Sequence, residues 1–227
     1  LSIQPSEFSK AIMIVCLAAF LNKRLETLDS FTDYLPALAY AFVPFILVMK
    51  QPDLGTSLVF MAILLGMLLI SGFKVRWLMY MSGALIALMP ALWHIYQKNR
   101  IRVFLDPELD PFGAGYHVIQ SKIAIGSCLL TGKGWFLGTQ SQLNFLPENH
   151  TDFIFAVAGE EFGFIGIFII LLLYLIVIWR GLTIALNAED DFGTLLAVGI
   201  TFMFMFHVLV NIGMTAGIMP VTGVPLP

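Results

Sequence analysis

The sequence predicts an all-α polytopic membrane protein. Of its 227 residues, 59% are hydrophobic and only 12% are charged, and the mean hydropathy is +0.88. Soluble domains carry roughly 25% charged residues, so this chain has too little charge to cover a surface that faces water. A bilayer is therefore the solvent that fits the composition. The net charge of −3 gives nucleic-acid binding no electrostatic support.

Six apolar segments are long enough, or nearly long enough, to span a bilayer. They are residues 8–21, 34–49, 54–71, 77–96, 153–179 and 193–213. Because a perpendicular helix needs roughly 20 apolar residues, the shorter segments must include their flanks. We expect about six transmembrane helices in a single integral membrane domain over residues 1–227. The chain starts at Leu1 without a methionine, which suggests a fragment that lacks both ends.

The connections between these segments predict an orientation. Positive residues follow the first, third and fifth segments: Lys23, Arg24, Lys74, Arg76 and Arg180. Positive residues in short loops favour the cytoplasmic side, which places 22–33, 72–76 and 180–192 in the cytoplasm. The long 97–152 segment then lies outside, despite its own lysines and arginines, because long loops weigh less in this rule. Its aromatic residues and glycines favour ordered structure over a disordered linker.

Glu7 and Lys10 stand at the head of the first segment. Pro5 favours a helix start there, with Gln4 or Ser6 as its cap. The i,i+3 spacing puts Glu7 and Lys10 on one face. One interpretation is an interfacial ion pair in which Lys10 extends outward to water. The other is a charged pair that lines a polar cavity, because ionisable groups inside a membrane are costly and usually functional.

Asp152 ends the long loop, immediately before the fifth segment. At 100° per residue, Gly159, Gly163 and Gly166 lie within about 40° of it on a helix. A stripe of small residues lets a neighbouring helix approach closely. We therefore expect Asp152 to head the face that points into the helix bundle. The structural alternative is that Asp152 only caps the fifth helix.

Two further carboxylates, Glu160 and Glu161, lie two turns into the fifth segment. They are about 80° and 180° from Asp152 on a helix, so they cannot both share its face. At least one of them needs a partner or a water-filled cavity. The sequence leaves open which one that is.

The remaining polar candidates carry weaker signals. His150 is a candidate base or ligand, but it has no companion at a metal-ligand spacing, and no metal site is predicted. Asp53 precedes the third segment and is interpreted mainly as a helix cap. Cys16 and Cys128 also lack metal-ligand spacing, and Cys16 is expected to be a small buried hydrophobe.

Several motifs resemble those of one family. They are Asp106-Pro107-Glu108, Gln120-Ser121-Lys122, Gly132-Lys133-Gly134-Trp135, Gly138-Thr139-Gln140-Ser141-Gln142, Phe145-Leu146-Pro147-Glu148, His150-Thr151-Asp152-Phe153, Asn211-Ile212-Gly213-Met214 and Pro220-Val221-Thr222-Gly223. They resemble the RodA/FtsW/SpoVE (SEDS) family, and the resemblance covers essentially the whole chain in order. The residues in these motifs are closer to those of the family's elongation branch than to those of its division branch. One departure is Cys128-Leu129, where the family usually has two glycines.

The resemblance implies a peptidoglycan glycosyltransferase that polymerises lipid II for cell-wall elongation and rod shape. It implies a multi-pass protein of the bacterial inner (cytoplasmic) membrane, surrounded by membrane lipids, with a class B penicillin-binding protein as its crosslinking partner. The family's essential aspartate maps onto Asp152. Its polar residues at the head of the fourth helix map onto Glu7 and Lys10.

The implied reaction joins a sugar hydroxyl to the anomeric carbon of a lipid diphosphate sugar. The hydroxyl needs a base, and Asp152 is the candidate for that catalytic role. Glu7, Lys10, His150 and Glu160 are the candidates for substrate binding or for lining the cavity. The departing diphosphate needs positive charge, for which Lys10 is one candidate and a divalent metal ion is the other.

Two other functions fit the same residues. A transporter that flips lipid II would also need charged cavities and broken helices. A non-catalytic scaffold for the penicillin-binding protein is the other alternative. Polymer formation in detergent separates the enzyme from the transporter, because detergent micelles leave nothing to flip across.

The predicted orientation can be tested by cysteine labelling of the full-length protein in a cysteine-free background. Ser141→Cys should react with a charged maleimide added to spheroplasts, and Thr27→Cys should not, because a charged reagent does not cross the bilayer. The opposite labelling pattern would overturn this orientation.

Overall fold

A computed structural model describes most of the chain. The described residues are 4–25, 31–51, 53–74, 76–77, 79–80, 83, 102–106, 109–110, 113–127, 130–135, 137–142 and 151–227. Within them the regular structure is entirely helical, which confirms the predicted class. The helices are α1 (Pro5–Asn22), α2 (Leu35–Met49), α3 (Leu54–Ile70), α4 (Ala114–Gly126), α5 (Thr139–Gln142), α6 (Ile154–Leu186) and α7 (Asp191–Thr215), with a 3-10 helix at Phe31–Tyr34.

Four helical stretches in the described part are long and apolar enough to cross a membrane. They are Pro5–Asn22, Phe31–Met49, Ile154–Leu186 and Asp191–Thr215, and Leu54–Ile70 is apolar but shorter. These five correspond to five of the six predicted segments. The predicted segment 77–96 lies largely outside the described residues. The long 97–152 segment contains α4 and α5, so part of it is ordered, as expected.

The helix that corresponds to the predicted segment 153–179 is longer than expected. α6 runs through Arg180 to Leu186, into the stretch expected to connect the last two segments. That stretch contains no proline, and an arginine can stay helical near a membrane surface while its side chain reaches water. The helix ends where the Asn187 side chain donates to the Thr183 carbonyl at 2.7 Å.

The chain divides into two compact units. The first comprises Leu1–Trp93 and Ile178–Phe206, and the second comprises His94–Val177 and His207–Pro227. The core of the first unit is built by α1, α2, α3 and the first half of α7, through buried residues such as Leu17, Ile63 and Leu195. Gly66 of α3 contacts the Phe202 ring so closely that a Cβ would overlap it. Glycine therefore allows α7 to approach α3, as small residues do in membrane bundles.

The exposed and buried faces of α1 are clearly separated. Cys16, expected to be buried, is exposed, and so is Ile12, while Met13 and Leu17 are buried. The physical reason is that a membrane helix turns apolar side chains outward as well as inward, since lipid is as apolar as the core. An apolar run alone therefore does not predict burial.

Two predicted helix starts are found. Pro5 occupies the first turn of α1, although the side chain of the cap residue Gln4 makes no cap bond and donates instead to Asp53 at 3.4 Å. Asp53 is the N-cap of α3, because its Oδ1 accepts from the Thr56 N–H at 3.0 Å. The capping interpretation of Asp53 is confirmed.

α6 is broken at Gly163. This residue has φ 70° and ψ −166°, a backbone conformation that is essentially restricted to glycine. The sequence predicted one uninterrupted helix with Gly159, Gly163 and Gly166 on a single face. That prediction is wrong beyond the break, because the 100° periodicity is lost at Gly163.

The loop at 130–134 supplies the hydrogen bonds that the break removes. The Lys133 N–H donates to the Glu160 carbonyl at 2.9 Å, and the Gly134 N–H donates to the Glu161 carbonyl at 3.1 Å. The Ile165 N–H donates to the Leu130 carbonyl at 3.2 Å instead of bonding within the helix. Because membrane interiors offer no water, backbone groups freed by a break must find such partners.

Gly132 is required for this docking. It has φ +72°, and a Cβ there would overlap the Glu161 carbonyl oxygen and lie 2.5 Å from the Gly163 nitrogen. Backbone atoms cannot move aside as a flexible side chain can. Glycine is therefore required at Gly163 for its backbone conformation, and at Gly132 because a Cβ would overlap the neighbouring backbone.

We expect Gly163→Ala to destabilise the protein by about 1–3 kcal/mol, because alanine does not adopt this backbone conformation without strain. Gly126→Ala is the matched control, since a Cβ at Gly126 meets nothing within 4 Å and its φ is not positive. The measurement is unfolding in detergent by denaturant titration. Equal stability of the two variants would contradict the break.

Candidate functional site

The head of α1 carries a buried lysine. Lys10 Nζ lies 2.8 Å from Glu7 Oε2, and the side chains are 3% and 48% exposed, respectively. The i,i+3 spacing thus brings the charges together. The burial of Lys10 contradicts the interfacial interpretation in which it extends to water. The other interpretation, a pair lining a polar cavity, stays a prediction.

Asp152 lies just outside α6. The Phe153 carbonyl accepts from the N–H groups of Ala156 at 3.0 Å and Val157 at 3.2 Å, so Phe153 takes the position at which the helical bonds begin. Phe153 is buried against Ala124 and Ala156, which anchors the start of the helix. Asp152, which is half-buried, precedes that anchored residue. Its position therefore does not favour the interpretation as a simple cap.

Asn211 of α7 holds the Asp152 backbone. Its Nδ2 donates to the Asp152 carbonyl at 3.0 Å and to the Val224 carbonyl at 2.8 Å. The carboxylate of Asp152 also lies against the chain near Val224, since a Cβ added to Gly223 would stand 3.6 Å from Asp152 Oδ2. Gly223 has φ +75°. Asp152 thus meets Asn211 of α7 and the segment at Gly223 and Val224, both of which lie at least 59 residues away in sequence.

Asn211 belongs to a polar stripe on α7. His207, Asn211 and Thr215 follow one another at intervals of four residues and are all buried. His207 Nδ1 lies 3.3 Å from the Pro225 carbonyl oxygen, and Thr215 Oγ1 donates to the Asn211 carbonyl at 2.9 Å. Ser121 Oγ of α4 donates to the Thr215 carbonyl at 2.7 Å. The stripe joins α7 to the C-terminal segment and to α4.

Glu160 is the centre of a second network. Its side chain is 0% exposed and lies 2.6 Å from Lys133 Nζ, whose side chain is 31% exposed. Thr139 Oγ1 donates to Glu160 Oε1 at 3.1 Å, and the Gln140 N–H donates to Oε1 at 3.1 Å and Oε2 at 3.2 Å. A buried carboxylate needs such partners. These donors fasten the loop carrying Lys133 and α5 to the first half of α6.

Of the two glutamates of α6, Glu160 and Glu161, the sequence left open which one has a partner. Glu160 is the one that is paired, whereas Glu161, also buried, contributes its carbonyl to the Gly134 contact. The occupied oxygens of Glu160 favour a structural role over direct substrate contact. His150 lies outside the described residues. The predicted substrate-binding or cavity roles of Glu160 and His150 both stay predictions.

The sequence places Asn211 within a motif that resembles the family but indicates no role for it. A signal was present, because three polar residues at i,i+4 intervals in an apolar 25-residue helix define one polar face. What that face binds was not predictable, since its partners are carbonyl groups 13 and 59 residues away. The role of Gly223 is likewise not predictable from the sequence, because it depends on where its backbone lies in the fold.

A resident metal ion would need several ligating side chains close together. Among the described residues, no three or more His, Cys, Asp or Glu side chains form a group that could hold one.

These features define a class: an all-helical, multi-pass membrane protein with a broken helix and buried polar networks. The profile of the FtsW/RodA/SpoVE family, described as cell cycle protein, matches residues 1–227. The chain belongs to this family. The family assignment made from the motifs is thereby confirmed.

Similar proteins are found in several bacteria. Peptidoglycan glycosyltransferase MrdB of Escherichia coli (strain K12) is 50% identical over 228 residues, covering 99% of this chain and 61% of that protein. Stage V sporulation protein E of Bacillus subtilis (strain 168) is 42% identical over 233 residues, covering 100% and 62%. The chain thus spans about three fifths of the curated relatives it matches.

Solved structures of other proteins also resemble the whole chain. One, from work titled as the structural coordination of polymerization and crosslinking by a peptidoglycan synthase complex, has a TM-score of 0.79 and 35% identity, covering 100% of this chain and 63% of that chain. Another is an aspartate-to-alanine mutant of Thermus thermophilus rod shape determining protein RodA. It has a TM-score of 0.66 and 26% identity, covering 100% and 59%.

The Glu160 network predicts an asymmetric effect of mutations. Lys133→Met should lower the free energy of unfolding by about 1–3 kcal/mol, because it deprives a buried carboxylate of its charged donor. Adding Glu160→Gln should recover part of the loss, since a neutral amide still accepts from Gln140 and needs no cation. Denaturant titration in detergent measures both variants.

Lys74→Met is the matched control, because Lys74 is exposed and a surface change of this kind usually stays within about 0.5 kcal/mol. A loss in Lys133→Met no larger than that in Lys74→Met would show that the pair contributes nothing. A double variant less stable than Lys133→Met would show that the two side chains are not coupled in the expected sense.

Proposed function

We propose that the full-length protein is a peptidoglycan glycosyltransferase that polymerises lipid II into glycan strands for cell-wall elongation. The observation that carries the proposal is the 50% identity, across 99% of this chain, to a protein named as a peptidoglycan glycosyltransferase. Since the chain covers only 61% of that relative, the activity is assigned to the whole protein. A multi-pass protein acting on a lipid-linked sugar belongs in the bacterial inner membrane.

Asp152 is proposed as the general base. Its carboxylate takes the proton of the attacking sugar hydroxyl while the hydroxyl oxygen bonds to the anomeric carbon of a second lipid II. The bond from that carbon to the diphosphate oxygen breaks, and the lipid diphosphate leaves with the electron pair. A positioned base contributes typically 10²–10⁴-fold to such a step. Support for Asp152 comes from its partial exposure and its anchored backbone.

Lys10 is proposed to stabilise the negative charge that develops on the diphosphate. Its ammonium group is buried and paired with Glu7. A cation in a dry site stabilises developing charge far better than one in water. Glu7 is half exposed, so water can solvate its carboxylate when Lys10 turns toward the substrate. Glu7 is thus the counterion of Lys10 in the absence of substrate.

A class B penicillin-binding protein is proposed as the partner that crosslinks the product. The similar solved complex is described as coordinating polymerization with crosslinking, which are the two reactions such a pair would divide. The glycan product and the crosslinking step share one membrane face, so assembly of the two proteins keeps the new strand near the transpeptidase. This pairing raises the local strand concentration.

A lipid II transporter is the second candidate function. The break in α6 favours it, because transporters build substrate sites from discontinuous helices. Here, however, the carbonyls of Glu160 and Glu161 at the break accept from Lys133 and Gly134. Those groups are therefore used by the protein itself, which weakens the case for transport. Polymer made in detergent would decide for the enzyme.

The central prediction concerns Asp152→Asn. The substitution keeps the size of the side chain and removes its ability to take a proton, so polymerisation should fall by roughly 10²–10⁴-fold. The measurement is glycan polymer formed from lipid II by the purified full-length protein with its transpeptidase. If Asp152 were only a helix cap, activity would hardly change, because asparagine caps as well as aspartate.

Asp191→Asn is the matched control, because Asp191 is an exposed aspartate in the first turn of α7. It should keep wild-type activity. Asp152→Asn should remain as abundant in the membrane as wild type and should still assemble with the transpeptidase. An abundant, partner-bound and fully active Asp152→Asn protein would end the case for this residue as the base.

A further inference from the structure

We propose that Asn211 is a positioning residue for catalysis, which fixes Asp152 and the Thr222–Pro225 segment in one geometry. The inference rests on the proposed function of Asp152 as the base. Asn211 does not act on substrate in this proposal. It acts through the backbone of Asp152, which it holds from α7.

The hydrogen bonds of Asn211 are suited to this task. An asparagine amide has two N–H donors, and both are used here, on the carbonyls of Asp152 at 3.0 Å and Val224 at 2.8 Å. The side chain is 0% exposed, so water does not compete for these bonds. Its own carbonyl oxygen has no partner within the described residues. The amide therefore contributes to the structure through its donors.

The segment that Asn211 holds is the one beside the Asp152 carboxylate. Gly223 lies between Thr222 and Val224, and a Cβ added to it would lie 3.6 Å from Asp152 Oδ2. One turn earlier on α7, His207 Nδ1 lies 3.3 Å from the Pro225 carbonyl oxygen. The segment is thus held at two neighbouring residues, and the carboxylate has a fixed wall on that side.

A base must meet its proton within hydrogen-bond distance, so small displacements have large effects. A shift of about 1 Å in a reacting group can cost on the order of 10²-fold in rate. Without the amide, the backbone at Asp152 and the segment at Val224 lose their common tether. Asn211→Ala should therefore lower kcat by about 10–100-fold and leave KM within about twofold, because Asn211 itself does not contact substrate in this proposal.

The test uses the full-length protein with its transpeptidase and lipid II as substrate. The variants Asn211→Ala, Asp152→Asn and their combination are assayed over a range of lipid II concentrations to obtain kcat and KM, with incubations of hours for the slow variants. If Asn211 acts through Asp152, the double variant should be no slower than Asp152→Asn alone. A further tenfold fall in the double variant would overturn the proposal, since independent effects multiply.

Ser121→Ala is the matched control for lost structure. It removes another buried hydrogen bond of the same unit, to the Thr215 carbonyl, without touching Asp152, and should retain near wild-type kcat. An equal loss of kcat in Ser121→Ala and Asn211→Ala would overturn the positioning role. Asn211→Ser, which keeps one donor, should show an intermediate kcat, and it replaces Asn211→Ala in the double variant if the alanine protein does not accumulate. A wild-type kcat in Asn211→Ser would also overturn the proposal.

Different results would refute the two proposals, namely Asp152 as the base and Asn211 as its positioning residue. Wild-type activity of Asp152→Asn would refute Asp152 as the base, whatever Asn211 does. Inactive Asp152→Asn together with fully active Asn211→Ala would refute only the positioning role of Asn211.

Discussion

Inside a hydrocarbon layer, every peptide N–H and C=O that leaves a helix must find a partner in the protein, because water is absent. The break at Gly163 imposes this requirement on α6, and the 130–134 loop meets it from outside the helix. Glu160 attaches the same loop a second time, through its side chain. The first half of α6 and the loop therefore form one assembly, and Asp152 directly precedes that half. The position of Asp152, the proposed base, therefore depends on the hydrogen bonds that the 130–134 loop makes at the break.

Two ion pairs among the described residues each have one buried charge, but they are built in opposite ways, and this difference separates their roles. In one pair the anion Glu160 is fully enclosed and the cation Lys133 reaches the surface. In the other pair the cation Lys10 is enclosed and the anion Glu7 is half exposed. An enclosed carboxylate with every oxygen bonded cannot exchange partners cheaply. An ammonium group whose counterion can be solvated is able to do so, which makes Lys10 the better candidate for contact with a charged substrate.

Much of the fold could be predicted from sequence, because its signals are local. The apolar segments, Pro5 at a helix start and Asp53 as a cap depend on neighbouring residues only. The break at Gly163 could not be predicted in this way. A glycine in an apolar run is equally typical of close helix packing, and its unusual φ and ψ are stabilised by a loop about 30 residues away. The candidate base was predicted from motifs, but the tether on its backbone was not, since Asn211 and Asp152 are 59 residues apart.

The effect of Asn211 depends on which atom of Asp152 it binds, as well as on which residue it binds. A hydrogen bond donated directly to a carboxylate favours its ionised form, and it would make that carboxylate a weaker base. Asn211 instead spends both of its donors on backbone carbonyls, one of them that of Asp152. It can thus fix where the carboxylate stands without stabilising its charge. A positively charged residue in the same place would orient Asp152 as well, but at the cost of its ability to take a proton. A neutral amide on α7 separates the two effects, and it suits a site in which position and basicity must both be preserved.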